Sequence, residues 1–249
     1  MPIQDREMTL LEHLDELRVR LTRAVFGLLL ATFLGLLFVD RLLALILHPL
    51  GGIKLTTLTV LEPFLVKMKV SLLFGIVLSM PWVVYQLFAF INPALTEQER
   101  RKSVPIALLA GALFACGVVF AYVFVLPVST RWLLAQAGSQ FNVLITANSY
   151  ITYVLFFLGI VGGTFETPLL ILGLAMLGLV TPQTLRREWR IAYMIAAAIA
   201  VLGTPDWSPV TMLLVAIPMA LLYEFSIVLC RIFIREPAKT AQPAAHTGD

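Results

Sequence analysis

Charge is what this sequence has least of. Of its 249 residues only 13% are Asp, Glu, Lys or Arg, whereas 59% are hydrophobic. So few charges cannot solvate the surface of a water-soluble domain, which leaves lipid as the main solvent. Cysteine is scarce too. Cys116 and Cys230 both sit in apolar runs without metal-ligand spacing, and read as small buried hydrophobes rather than a redox pair. His13, His48 and His246 are scattered, and His13 reads as solvating the polar face of the first helix. Phosphate loops, dinucleotide fingerprints, zinc-protease motifs and a nucleophile-elbow serine are all missing. An enzyme reading therefore has no residues to stand on, and no metal or cofactor is implied.

What the sequence does have is apolar length. Runs near Leu21–Leu47, Val70–Ile91, Pro105–Val128, Tyr150–Val180, Ile191–Leu202 and Val210–Cys230 suggest six spans. All should be helices, because lipid offers backbone amides no outside partner and the runs lack strand alternation. The expected fold is thus an all-α polytopic membrane protein with six transmembrane helices. Arg6, Arg18, Arg20 and Arg23 precede the first run; Arg100, Arg101 and Lys102 follow the second. Arg186, Arg187 and Arg190 follow the fourth, and Arg231, Arg235 and Lys239 follow the last. The alternate connections hold few such residues, so both termini are expected in the cytoplasm. Asp5, Glu7, Glu12, Asp15 and Glu16 argue against a cleavable signal at the N-terminus.

Residues 1–235 read as one transmembrane domain without an internal repeat, and 236–249 as a disordered cytoplasmic tail. Within it, 8–21 carries Leu10, Leu14, Leu17 and Leu21 at helical spacing. Such an amphipathic segment would lie on the cytoplasmic surface and bend into the first span.

Few acids remain to be explained. The stretch FAFINPALTEQERR places Glu97 and Glu99 on a basic loop. TEQE fits a capping box, with Thr96 as N-cap and Glu99 reaching back to its amide, but a ligand would explain the charge equally well. Glu166, in GGTFETPLL, lies deep inside the fourth run. An acid at that depth costs ~2.5–3.5 kcal/mol on insertion scales, so it should face protein or a water-filled, concave polar surface. Pro168 should kink the helix nearby, and Gly159, Gly162 and Gly163 should admit another helix. Asp206, in GTPDWSPV, is expected to satisfy nearby amides or the helix dipole, with Ser208 as cap and Pro209 at the first helical position. Glu224 reads either as paired with a tail arginine or as functional.

Taken in order, LEHLDELRVRL, YQLFAFINPALTEQERR, FAYVFVLP, GTFETP, LGTPDWSP and LLVAIPMALLYE resemble the TatC family of the twin-arginine protein translocase. The resemblance covers nearly the whole chain up to Arg235. It implies six helices with cytoplasmic ends in the inner membrane, and a receptor for signal peptides with paired arginines. It also implies small single-span partners of the TatA and TatB type near spans 5 and 6, self-association, and export of folded proteins by the proton-motive force. Nucleic acid has no place in it. The residues it marks for signal-peptide binding are Glu99, Phe90, Glu16 and Arg18. Glu166 is marked as an intramembrane polar contact and Asp206 as an outer-loop acid. Asp15 beside Glu16 leaves open which of the two acids pairs with the ligand.

The competing reading is a proton-coupled secondary transporter or ion channel with Glu166 as its site, although no second half mirrors that acid. Spans 5 and 6 both read as short, which would make their hairpin a membrane-thinning, partner-docking edge.

Overall fold

The computed structural model describes residues 10–91, 103–136, 138 and 144–233. Among these residues the secondary structure is helical, apart from a single parallel bridge between Thr56 and Thr146. The order is α1 (Leu10–Leu37), α2 (Val39–Leu47), α3 (Glu62–Ile91), α4 (Ser103–Phe120) and α5 (Leu126–Gln136). There follow α6 (Ala147–Thr164), α7 (Thr167–Met176), α8 (Pro182–Arg187), α9 (Trp189–Gly203) and α10 (Pro209–Phe233). Five stretches are long and apolar enough to cross a membrane: α1, α3, α4 joined to α5, α6 joined to α7, and α10. The shorter apolar helix is α9.

Several expectations are corrected. α1 runs unbroken from Leu10 to Leu37, so the amphipathic segment enters the span without a separate surface turn. The first apolar run does not continue to Leu47, because the chain turns at Phe38 (φ −110°, ψ 8°) and starts α2. Asp40 of α2 pairs with Lys67 at 2.7 Å, which gives the new helix a polar edge. Span 6 is not short. At 25 residues α10 is about 37 Å long at 1.5 Å per residue, because Glu224 finds partners and does not stop the helix. α9, with 15 residues and about 22 Å, is short as expected.

α1 and α3 lie antiparallel and zip along their length. Trp82 Nε1 donates to the Arg23 carbonyl at 2.9 Å, and Gly75 and Gly35 bring the two backbones together further along. A Cβ on Gly75 would meet Thr32 Cα and N at 2.8 Å, so the approach needs glycine there. Of the three glycines expected to admit a helix, only Gly162 does so, against Val118 and Phe114; Gly159 and Gly163 face open space. Cys116 likewise faces outward, whereas Cys230 is buried.

The end of the bundle holding residues 38–61 and 144–147 is closed by Glu62. Its Oε2 accepts from the Leu58 amide at 2.7 Å and its Oε1 from the Asn148 amide at 2.8 Å. Beside it Thr56 exchanges backbone bonds with Ile145 and Ala147. Tyr122 and Tyr150 donate to the carbonyls of Leu45 and Ile46 at the end of α2, where the Leu45 carbonyl also accepts from the His48 amide. Tyr122 is presented by a wide π-type turn, Ala121–Val125, just ahead of Pro127, whose missing N–H weakens the regular helix there.

The interior holds two apolar clusters. One, around Val125, Ile151, Phe157 and Met219, lies toward this closed end. The other, around Phe88, Ile106, Leu172 and Ile227, lies toward the start of α1. Many large side chains remain exposed, among them Phe26, Leu29 and Phe33 of α1, as lipid-facing surfaces require.

Gly75→Leu should force α1 and α3 apart and cost roughly 1–3 kcal/mol by overpacking. Gly163→Ala, with open space at its Cβ, should leave stability unchanged. Thermal unfolding of the two purified variants in one detergent checks the contrast.

Candidate functional site

Where α1 begins and α3 ends, five side chains converge. The ring of His13 stacks on Phe90, with centroids 4.3 Å apart and planes 18° apart. One turn along α1, Glu16 Oε1 accepts from Arg20 Nη2 at 3.1 Å and from Nε at 3.4 Å. Arg20 Nη1 reaches the side-chain carbonyl of Gln86, itself buried on α3, at the limiting distance of 3.5 Å. Among the described residues Glu16 Oε2 is buried and has no hydrogen-bond partner. Of the residues singled out in the sequence, the structure thus brings Glu16 and Phe90 to one end. Asp15 is exposed while Glu16 is half-buried, since successive helical residues point about 100° apart.

Arg18 is exposed too, and its carbonyl accepts from Thr22 Oγ1 at 2.8 Å. Glu99 and Glu97 lie outside the described residues. His13, Arg20 and Gln86 were missed. The first was assigned to solvent, and the others carry no signal until α3 is placed against α1.

Glu166 sits at the break between α6 and α7 and is buried, 7% exposed. The break follows from Pro168, which has no N–H for the Thr164 carbonyl; Thr167 Oγ1 takes that carbonyl instead, at 2.6 Å. The Glu166 carboxylate does not cap α7, and among the described residues its Oε1 has no partner. Phe165 belongs to one apolar cluster and Leu169 to the other, so this open acid marks the seam between the two cores.

Asp206 lies toward the Glu62 end, in the turn between α9 and α10, and is 6% exposed. Its Oδ2 accepts from the hydroxyl of Thr211, in the first turn of α10, at 2.6 Å; the donor is a side chain and not one of the expected amides, while the place just ahead of the helix N-terminus is the one the dipole reading expects. Trp132 Nε1 donates to the Asp206 carbonyl at 3.2 Å, tying α5 to the turn. Pro209 opens α10 as expected, but Ser208 Oγ is buried without a partner and caps nothing. Glu224 accepts from Arg186 at 2.6 Å and from Tyr193 at 2.9 Å. Among the described residues its cation is Arg186, from the α7–α9 connection.

Long apolar helices, a proline-broken span and isolated acids held at both ends and at the seam define a multi-pass α-helical membrane protein. The family model described as Sec-independent protein translocase protein (TatC) matches residues 12–218. The Sec-independent protein translocase protein TatC of Deinococcus radiodurans is 35% identical over 244 residues, covering 94% of this chain and 90% of its own. That of Carboxydothermus hydrogenoformans is 31% identical over 234 residues, covering 92% and 95%. A crystal structure of the twin-arginine translocase receptor TatC in DDM matches with a TM-score of 0.75 at 32% identity, over 88% of this chain and 100% of that one. The chain belongs to the TatC family of Sec-independent protein translocase proteins.

Glu166→Gln keeps a hydrogen-bonding group of the same size at the seam. Protein export should therefore survive it better than Glu166→Leu or Glu166→Ala. Equal export by the Gln and Leu variants in cells lacking the native gene would remove the case for a polar role.

Proposed function

We propose that the protein is the receptor and assembly core of a twin-arginine translocase. It binds signal peptides carrying paired arginines and, with small single-span TatA- and TatB-type partners, exports folded proteins using the proton-motive force. The observation that carries this reading is the open Oε2 of Glu16, a half-buried acceptor beside the His13–Phe90 stack. Guanidinium groups arriving from the cytoplasm need carboxylates, because charge-assisted bonds to a planar fork are stronger and more directional than bonds to an ammonium. In the proposal Glu99 supplies the second carboxylate, Phe90 the apolar wall and Arg18 the exposed rim.

The same reading puts both termini in the cytoplasm and the chain in the cytoplasmic (inner) membrane, in line with the Lys and Arg distribution. Glu166 then offers a polar contact to a partner helix or to the passing signal peptide. Asp206 holds the outer turn of the α9–α10 hairpin, where partner helices dock. Copies of the protein associate with one another around this core.

Glu99→Gln retains any capping capacity but loses the charge. It should weaken binding of a twin-arginine peptide at physiological salt by several-fold or more, since truncating one partner of a desolvated charge pair costs ~2–5 kcal/mol and a rim pair less. Binding as tight as that of the unaltered protein would reduce Glu99 to a helix cap.

The short α9 gives a second test. Inserting four apolar residues after Ala198 adds about one turn and relieves its mismatch with the ~30 Å core. Peptide binding should persist while partner crosslinking and export fall; unchanged export from a stably inserted variant would sink the docking-edge idea.

A further inference from the structure

The charge arrangement around Glu16 is lopsided in an informative way. One carboxylate oxygen, Oε1, is occupied twice by the guanidinium of Arg20, at 3.1 and 3.4 Å. The other, Oε2, is buried and unpartnered. The pair is largely shielded, with side-chain exposures of 24% for Arg20 and 20% for Glu16. A shielded carboxylate with a bare oxygen is unusual, because a buried acceptor left unsatisfied carries the full cost of its desolvation. An N–H donor from a ligand would complete it.

Resting on the reading of Glu16 as an acceptor for a signal-peptide arginine, we infer that Arg20 is the positioning residue of that acceptor. Arg20 holds Oε1 so that Glu16 presents Oε2, and only Oε2, to the incoming guanidinium. Helical spacing makes this possible: Glu16 and Arg20 are one turn apart on α1, the orientation that favours the acid N-terminal to its base. Arg20 is itself steadied from α3 by the carbonyl of buried Gln86, at the edge of hydrogen-bonding distance.

Two consequences follow for recognition. With Oε1 already taken, Glu16 cannot clasp a guanidinium through both oxygens, so a ligand guanidinium meets Oε2 alone. Two-pronged pairing with a ligand arginine falls to another acid, and the two arginines of the peptide are therefore held unequally. The internal cation also lets the site keep a carboxylate in a shielded place before any peptide arrives.

The experiment is a double-mutant cycle on the full-length protein in lipid nanodiscs, titrated with a labelled synthetic twin-arginine signal peptide. Glu16→Gln should weaken binding about ten-fold and Arg20→Gln about five-fold. Arg20→Lys, which keeps the charge without the planar fork, should fall between Arg20→Gln and the unaltered protein. In the Glu16→Gln background, Arg20→Gln should add less than about two-fold, because its effect passes through Glu16.

Arg20→Gln that binds as tightly as the unaltered protein, or more tightly, overturns the inference. So does an Arg20→Gln loss that is the same with and without Glu16→Gln, since that marks a general packing role. If Arg20→Gln does not fold, Arg20→Lys carries the same cycle. Failure of the underlying reading looks different: Glu16→Gln itself would then leave peptide binding unchanged.

Discussion

Inside a bilayer no water is available to a freed carbonyl, an exposed amide or a lone charge, so each needs a partner from the chain itself. The departures from regular helix described here obey that constraint one by one. Where Pro168 breaks the fourth span, the hydroxyl of Thr167 takes the Thr164 carbonyl. Where α2 ends, Tyr122 and Tyr150 reach its last carbonyls from two other helices. Where α3 and α6 begin, one carboxylate of Glu62 serves an amide from each neighbourhood. Such partners fix the helix ends in space, and with them the polar side chains that the function uses.

Against that background the unsatisfied groups stand out. Among the described residues Glu16, Glu166 and Asp206 each keep one buried oxygen without a partner, at one end of the bundle, at the seam and toward the other end. Structural acids elsewhere are filled: Glu62 is bound through both oxygens, and Glu224 through both of its own by Arg186 and Tyr193. The contrast separates acids bound through both oxygens from acids bound through one or none. A partner helix, a peptide or an internal water could each complete an open oxygen, and the three positions face different surroundings.

Much of this was legible in the sequence, for a physical reason. Apolar runs of bilayer length have few alternatives to helix, so the spans and their order were readable, and Pro168 announced the break at Glu166. Long-range pairing was not readable. Nothing local tells Gln86 from any other glutamine until α1 is packed against α3, and Glu62 carries no local sign that the Asn148 amide will reach it. The same blindness hid the partner of Glu224, which among the described residues is Arg186, 38 positions away in the chain. Apolar counting also failed at Phe38, because a turn between two apolar helices leaves no mark in composition. Glu224 defeated it at α10 in the opposite sense, since a paired charge does not end a helix.

Glu62 has one more consequence, in the order of biosynthesis. Its two amide donors, on Leu58 and Asn148, lie far apart in the sequence. The latch therefore cannot close until the start of α6 has left the ribosome, whereas the contact between Gly75 and Thr32 can form as soon as α3 is made. During that interval the segment at 51–61 is held at its α3 end by one oxygen of Glu62 while the other awaits α6. Closing this end of the bundle is thus a late event that reports the arrival of a distant helix. A chain stopped before Asn148 would carry α1 and α3 correctly paired and yet be left with an open lid.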